Sequence, residues 1–446
     1  MALTGLEIYK LLPKTNCKKC GRPTCLAFAM QLAQKKASLS ECPDVSEETM
    51  NVLGAASAPP IKLVTVGAGD KKLQVGEENV LFRHQEKFYH PCGVAVTLND
   101  DLSDDAFQER LKKINSLKVA RVGTEIEIDL IALTDKSNNA EQFAGAVKKV
   151  CDGTHLNIIL SSTNVDSMRA ALSHCAEKRP LLHGANKENC EAMAALAKEK
   201  NCPMTLTAPT LEELADLAEC AKKSGVEEIL LDVSGDNPKE ELQKLTKIRR
   251  AALKKNFRAL GFPAITFVRE DDPYMEISLA STYLAKYAGI VVVNSDEPWG
   301  IMPLLTMRTN IFTDPQKPIQ VEPKLYAVGD ATEDSPVMFT TNFSLTYYTV
   351  EGEVESSRVP TYILSVDTGG TSVLTAYSGD KLNDKIVAKA VADTQLETKV
   401  KHRKLIIPGL VAAMSGKLQE TLGWEILVGP REASGLPSYL KNEWRN

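Results

Sequence analysis

Residues 202–235, CPMTLTAPTLEELADLAECAKKSGVEEILLDVSG, carry the fold in miniature. An apolar run, CPMTLTA, gives way to the amphipathic helical stretch TLEELADLAECAKKSG, and a second apolar run, EEILLDVSG, follows it. Short strands that are apolar on both faces and separated by helices pair in parallel. The same alternation extends outward in both directions. CGVAVTLN, IEIDLIALT, HLNIILSS and RPLLHGA precede this stretch, and FPAITFV and GIVVVN follow it. Eight such strand–helix units between Cys92 and about Phe312 match a closed (β/α)8 TIM barrel, which we place at residues 92–322.

A barrel enzyme carries its polar groups at the carboxyl ends of the strands. Asn99, Asp135, His183, Asp232, Arg269, Glu270 and Asn294 stand there, but no pair has a spacing diagnostic of catalysis, and helix capping or loop solvation accounts for residues of these types. His183, like His155 and His174, reads as a hydrogen-bonded structural histidine. None of them belongs to an H-E-x-x-H pattern.

Composition narrows the classes. A length of 446 residues allows two to four domains, and 43% hydrophobic with 25% charged residues is ordinary for a folded soluble protein. The formal net charge of -5 leaves no basic footprint for nucleic acid. No run of eighteen apolar residues is present, and the opening MALTGLEIYKLLPKTNC lacks a secretory h-region, so no membrane is expected and the expected location is cytoplasmic. Ten cysteines in such a chain are expected as thiols rather than disulfides.

Four of the ten crowd together. Cys17, Cys20, Cys25 and Cys42 are spaced C-x2-C-x4-C-x16-C, and thiolates this close must share a cation or stay protonated. Structural zinc usually takes two pairs of ligands. Three cysteines in one tight loop and a distant fourth followed by Pro43 suit a 4Fe-4S cluster better. Lys18, Lys19 and Arg22 either offset the cluster's negative charge or form a solvated loop, and TCLAFAMQLAQ reads as a helix with Cys25 on its first turn. The remaining cysteines, Cys92, Cys151, Cys175, Cys190, Cys202 and Cys220, read as ordinary buried thiols. This gives an iron-sulfur domain at 1–57, whose end at AASAPP reads as a semi-rigid joint, and a linker with a β lead-in at 58–91.

Residues 323–446 read as an open, Rossmann-like α/β domain in which glycine-bearing turns follow strands, where such folds bind ligands. Gly369, Gly370, Thr371 and Ser372 lack bulky side chains, so backbone amides and hydroxyls are free to touch a large, phosphate-bearing cofactor. VDTGGTSVLTAY also resembles the phosphate loop of sugar kinases, but too few residues follow it to build a second lobe. The proline-bearing KPIQVEPK before this domain reads as a hinge.

With the order fixed as cysteine loop, barrel and glycine-rich α/β end, the chain resembles the large-subunit family of corrinoid iron-sulfur proteins of the acetyl-coenzyme A (Wood-Ljungdahl) pathway. CKKCGRPTC with Cys42, TTNFSLTYYTVEGEVE, SVDTGGTSVLTAY, IPGLVAAMSGKLQE and GPREASGLP carry the resemblance, which spans essentially the whole chain. It implies a heterodimer with a small barrel subunit and a cobalamin-type corrinoid at the C-terminal domain. The corrinoid contacts it implies are Thr340, Thr346, Gly369, Gly370, Thr371, Ser372, Val373, Gly409 and Leu436. It further implies a methyl carrier within a methyltransferase system. Cobalt would take methyl from methyltetrahydrofolate through a separate methyltransferase and give it to acetyl-CoA synthase, while a low-potential electron donor and the 4Fe-4S cluster restore Co(I) from Co(II). None of the six histidines fits the D-x-H-x-x-G pattern that supplies cobalt with a lower ligand in other corrinoid proteins, so a base-off corrinoid without an axial histidine is expected. Two alternatives remain at this point: a pterin-binding barrel methyltransferase, and an iron-sulfur electron carrier without corrinoid.

Overall fold

The computed structural model describes residues 5–33, 37, 41–46, 59–121 and 124–444. Strands β1 (Val64–Val66) and β2 (Leu73–Val75) form an antiparallel hairpin. There follow β3 (Gly93–Asn99), a small two-stranded sheet of β4 (Lys118–Arg121) and β5 (Thr124–Glu127), and then β6 (Leu130–Thr134), β7 (Asn157–Ser161), β8 (Leu181–Ala185), β9 (Met204–Thr207), β10 (Ile229–Asp232), β11 (Ala264–Phe267) and β12 (Ala288–Val293). β3 and β6 through β12 close into the eight-stranded parallel barrel that the alternation of strands and helices predicts. Helix starts are fixed locally. Asn139, Asn164, Thr210, Asn237 and Asp272 each accept the free backbone N–H groups of the turn they precede, a cap worth about 1 kcal/mol.

One expected strand is broken. IEIDLIALT divides at Ile128–Asp129 between β5 and β6. The cause is remote in sequence: Arg308 forms an ion pair with Asp129, Arg308 Nη2 donates to the Glu127 carbonyl at 2.9 Å, and the Asp129 carboxylate accepts the Val94 N–H at 2.9 Å.

The barrel has two cores. Its strands pack outward on the helices, while Ala95, Leu130, Ile159, Leu181, Ile265 and Ile290 fill the inside. Val64, Val66, Leu73 and Val75 of the hairpin join that inner cluster. The hairpin thus seals the barrel interior, and each such side chain contributes about 1.5–3 kcal/mol when fully buried. Gly93 leaves the necessary room, since a Cβ there would lie 2.6 Å from Leu73 Cδ2.

Two compact units divide the chain: 1–119 with 126–312, and 120–125 with 313–446. The second contains β13 (Leu325–Val328), β14 (Val337–Thr341), β15 (Thr361–Val366), β16 (Lys404–Ile407) and β17 (Glu425–Val428) in the order β13-β15-β14-β16-β17, all parallel except the edge strand β13. Separate apolar clusters cover the two faces of this sheet. The order reverses at β14, which has β15 on one side and β16 on the other, and a crevice opens at such a reversal. KPIQVEPK is no free spacer. Val321 N–H donates to Asn342 O at 2.9 Å and Ser344 N–H to Ile319 O at 3.0 Å, so the segment is stitched onto this unit. Of the joint expected at Ala55 to Pro60, residues 55–58 lie outside the described residues.

Candidate functional site

The cysteine loop is held by two short helices, Gly5–Leu11 and Cys25–Ala33, whose core contains Ile8, Leu12, Phe28 and Ala29 together with Cys25 and Cys42. Cys25 opens the second helix as expected. Its N–H donates to Asn16 Oδ1 at 2.8 Å, while Asn16 N–H points to Cys25 Sγ at 3.4 Å. Left-handed backbone at Asn16, Lys18 and Gly21 (φ 48°, 60° and 74°) curls the intervening loop. Cys17 is exposed, Cys20 half-buried, and Cys25 and Cys42 buried. Burial pushes the Cys42 thiol up, a backbone hydrogen bond at Asp44 opposes this, and the charges of Cys20, Cys17 and Cys25 add to the rise. Among the described residues, no three His, Cys, Asp or Glu side chains converge tightly enough to hold a single metal ion. Lys19 and Arg22 do not stand free as cations. Lys19 pairs with Asp44 at 2.9 Å and Arg22 with Glu41 at 3.4 Å, which fastens the segment bearing Cys42 to the loop bearing the other three.

At the carboxyl ends of β14, β16 and β17 lies a cavity of about 260 Å³. Thr340, Thr346, Val373 and Leu436 line it; Gly369, Gly370, Thr371, Ser372 and Gly409 do not. Gly370 instead faces protein, because a Cβ there would lie 2.6 Å from Gln320 Cγ and 3.0 Å from Pro318 Cβ. Thr371 Oγ1 donates to the Thr368 carbonyl at 2.9 Å, and Ser372 precedes the helix Val373–Ser378 with its hydroxyl 3.0 Å from that of Thr375. Gly409 acts from behind the wall: its N–H donates to the Pro430 carbonyl at 3.1 Å, and a Cβ would meet Gly429 O at 2.5 Å.

Sequence reasoning missed the residue that organises this loop. Asn342, fully buried just after β14, donates to Gln320 Oε1 and Asp367 Oδ1, both at 3.1 Å, and accepts from Thr368 N, Thr368 Oγ1 and Gly370 N at 2.9–3.1 Å. Its only sequence signal is an amide at a strand end in TTNF. Pro408 and Arg431 on the cavity wall were missed as well. Thr340 is 1% exposed, yet its hydroxyl has no hydrogen-bond partner among the described residues. An orphaned buried hydroxyl costs about 1–3 kcal/mol, so a ligand carrying amide or phosphate oxygens fits this wall. His402 is engaged elsewhere, with Nε2 2.8 Å from the Ser335 carbonyl and its ring edge-on to Trp444.

The barrel's strand ends hold a relay rather than scattered polar groups. Ser161 Oγ lies 2.8 Å from His183 Nδ1, and His183 Nε2 lies 3.0 Å from Asp232 Oδ2, which also accepts from Thr207 Oγ1 at 3.0 Å. Burial works to raise the Asp232 carboxyl, but hydrogen bonds and charge from His183, and hydrogen bonds from Ser234, outweigh it and hold the group at about 2. Phe267 covers the imidazole at 4.3 Å. Asp135 accepts from Ser162, Asn294 accepts from Thr97 and Arg110, and Arg269 meets Asp236 at 3.5 Å. Asn99 and Glu270 are not drawn into this set.

Two family models match the chain. The family model described as CO dehydrogenase/acetyl-CoA synthase delta subunit matches residues 63–440, and a model for an Fe-S cluster matches residues 12–43. The chain is 46% identical to the corrinoid/iron-sulfur protein large subunit of Moorella thermoacetica over 441 residues, covering 99% of each chain. It is 37% identical to the acetyl-CoA decarbonylase/synthase complex subunit gamma of Methanothermobacter thermautotrophicus, again over 99% of each. Among solved structures, dihydropteroate synthase of Thermus thermophilus overlaps 55% of the chain and 99% of its own at 14% identity and a TM-score of 0.40.

Proposed function

The chain belongs to the corrinoid/iron-sulfur protein large-subunit family, and from that premise we propose that it is a methyl carrier with a corrinoid in its C-terminal unit and a 4Fe-4S cluster on Cys17, Cys20, Cys25 and Cys42. The observation that carries this reading is the cavity at the reversal point of the C-terminal sheet, walled by Thr340, Thr346, Val373 and Leu436. When bound, the corrinoid's cobalt supplies the methyl-accepting and methyl-donating chemistry, and the cluster supplies the electron that returns oxidised cobalt to service.

The chain's own groups do the holding. Thr340 Oγ1, buried and without a partner among the described residues, would offer a donor to an amide oxygen of a bound corrinoid. Thr346 and Thr349 on the helix Ser344–Ser357 offer further hydroxyls, while Val373, Pro408, Leu410 and Leu436 keep water from the apolar side. A corrinoid bound here would be held by this wall, whose cavity measures about 260 Å³. Gly369, Gly370, Thr371 and Ser372 act as the support behind Val373, through the Asn342 network, rather than as a phosphate cradle. The iron-sulfur portion is assigned to residues 1–57 and the corrinoid portion to 323–446.

The partners in this reading are the small subunit, a methyltetrahydrofolate methyltransferase, acetyl-CoA synthase and a low-potential electron donor. A pterin-binding barrel methyltransferase is not favoured, because similarity extends at full length through the cysteine loop and the C-terminal unit. The test is the visible spectrum and metal content of anaerobically purified protein. Corrinoid bands with about four iron per chain are expected; iron without corrinoid bands sinks the carrier. Cys20→Ala should abolish reductive rescue of the oxidised corrinoid while methylation of pre-reduced protein persists.

A further inference from the structure

On the outside of the barrel, between the helices Leu211–Lys223 and Pro238–Lys255, runs a groove of about 880 Å³ that no part of the proposed carrier chemistry uses. Its floor is apolar: Leu211, Leu242, Ala251 and Leu260 line it, and Phe257 stands 46% exposed among them. Its rim is basic. Lys247, Arg250, Lys255 and Lys286 surround the floor, all exposed, against a single acid, Glu212.

None of these four cations has a carboxylate partner among the described residues. Lys19, Lys71, Lys113, Lys149 and Arg179, by contrast, are paired. Beyond Glu241 the long helix reads LQKLTKIRRAALKK, with basic residues and no acid, in a chain whose net charge is -5. Cations near a helix C-terminus favour its dipole, which accounts for Lys254 and Lys255. Lys286 likewise caps the C-terminus of the helix Pro273–Ala285, but the dipole does not account for Lys247, two turns earlier. Nor does it account for an unburied Phe257 amid the charge.

We propose that this groove is the docking site of an acidic, apolar-ridged helix presented by a partner protein. A helix carrying Leu or Phe at i, i+3, i+4 and i+7 lays that ridge on Leu242, Phe257 and Leu260, and its flanking Glu and Asp side chains meet Lys247, Arg250, Lys255 and Lys286. The cations lie at the solvent-exposed edge, so they steer encounter and select an acidic partner more than they hold it. A chain that must meet several proteins in turn gains speed from such steering, but the groove stands on its own residues and does not depend on the carrier reading.

The experiment uses the full chain as purified and a fluorescein-labelled helical peptide with Leu at i, i+3, i+4 and i+7 and Glu elsewhere, read by anisotropy. The acidic peptide should bind in the micromolar range and weaken as salt rises from about 50 to about 300 mM. Lys247→Glu/Arg250→Glu and Phe257→Ala should each weaken it tenfold or more, while Lys247→Arg/Arg250→Lys retains it. Unchanged far-ultraviolet circular dichroism shows that the variants are folded. The proposal is overturned if the acidic peptide does not bind, if the charge-reversed chain binds it equally, or if a Lys-for-Glu peptide binds as well. Preference for a single-stranded oligonucleotide or for phosphatidylserine vesicles over the peptide overturns it too, as does concentration-dependent self-association that Phe257→Ala abolishes.

Discussion

Asn342 ties three pieces of chain with one buried amide: the segment at Gln320, the end of β14, and the loop from Asp367 to Gly370. Removing it leaves the buried N–H groups of Thr368 and Gly370 without their acceptor, and each such loss costs about 1–3 kcal/mol. Asn342→Ala should therefore lower unfolding free energy by about 2–4 kcal/mol in a denaturant titration and reduce bound corrinoid. A variant as stable as the parent would show the network to be idle. Asp232 makes a second prediction, this one about pH. Its carboxyl is held at about 2 in the folded chain against an ordinary 3.8, so its contribution is present above pH 4 and is lost as pH falls through about 2. The size is about 2 kcal/mol. Asp232→Asn should lack that component, so the acid-unfolding curves of parent and variant should converge below about pH 2; parallel curves down to about pH 1 would refute it.

At the scale of elements, the cavity wall is made by loops that brace one another. The turn after β16 carries Gly409 and the turn after β17 carries Gly429 to Arg431, and the two approach so closely that a methyl group on Gly409 meets Gly429 O at 2.5 Å and Arg431 N at 2.8 Å. Gly409→Ala is expected to push the second loop away from Pro408 and lower corrinoid occupancy severalfold, with the barrel's thermal transition unmoved. Full occupancy in that variant would place the corrinoid elsewhere. Gly370 lies outside the cavity wall. It is a contact to Pro318 and Gln320 in left-handed backbone (φ 72°), so a bulky residue there disturbs the attachment of the 317–324 segment first and the cavity only through it.

For the whole molecule, two units with separate apolar cores imply separate cooperative transitions. Calorimetry should resolve two. Adding corrinoid should raise only the transition of the C-terminal unit, by about 4 kcal/mol at a thousandfold excess over Kd. If both transitions rise together, the units are thermodynamically one, or the ligand contacts both. No helix among the described residues is long and apolar enough to cross a membrane.

What local chemistry specifies could be read from the chain before it folds. Strands apolar on both faces and separated by amphipathic helices can pair only in parallel inside a helical jacket, so all eight barrel strands were legible. The helical periodicity of TCLAFAMQLAQ likewise forecast that Cys25 opens its helix. Distant segments had to meet before the rest was decided. Arg308 breaks IEIDLIALT from 179 residues away, Asn342 converts an expected hinge into a stitched segment, and the cavity draws its wall from turns after β14, β16 and β17 that no local pattern links. A propensity reads a few neighbouring residues, whereas a buried hydrogen bond or ion pair is settled only once desolvation forces each polar group to find its partner.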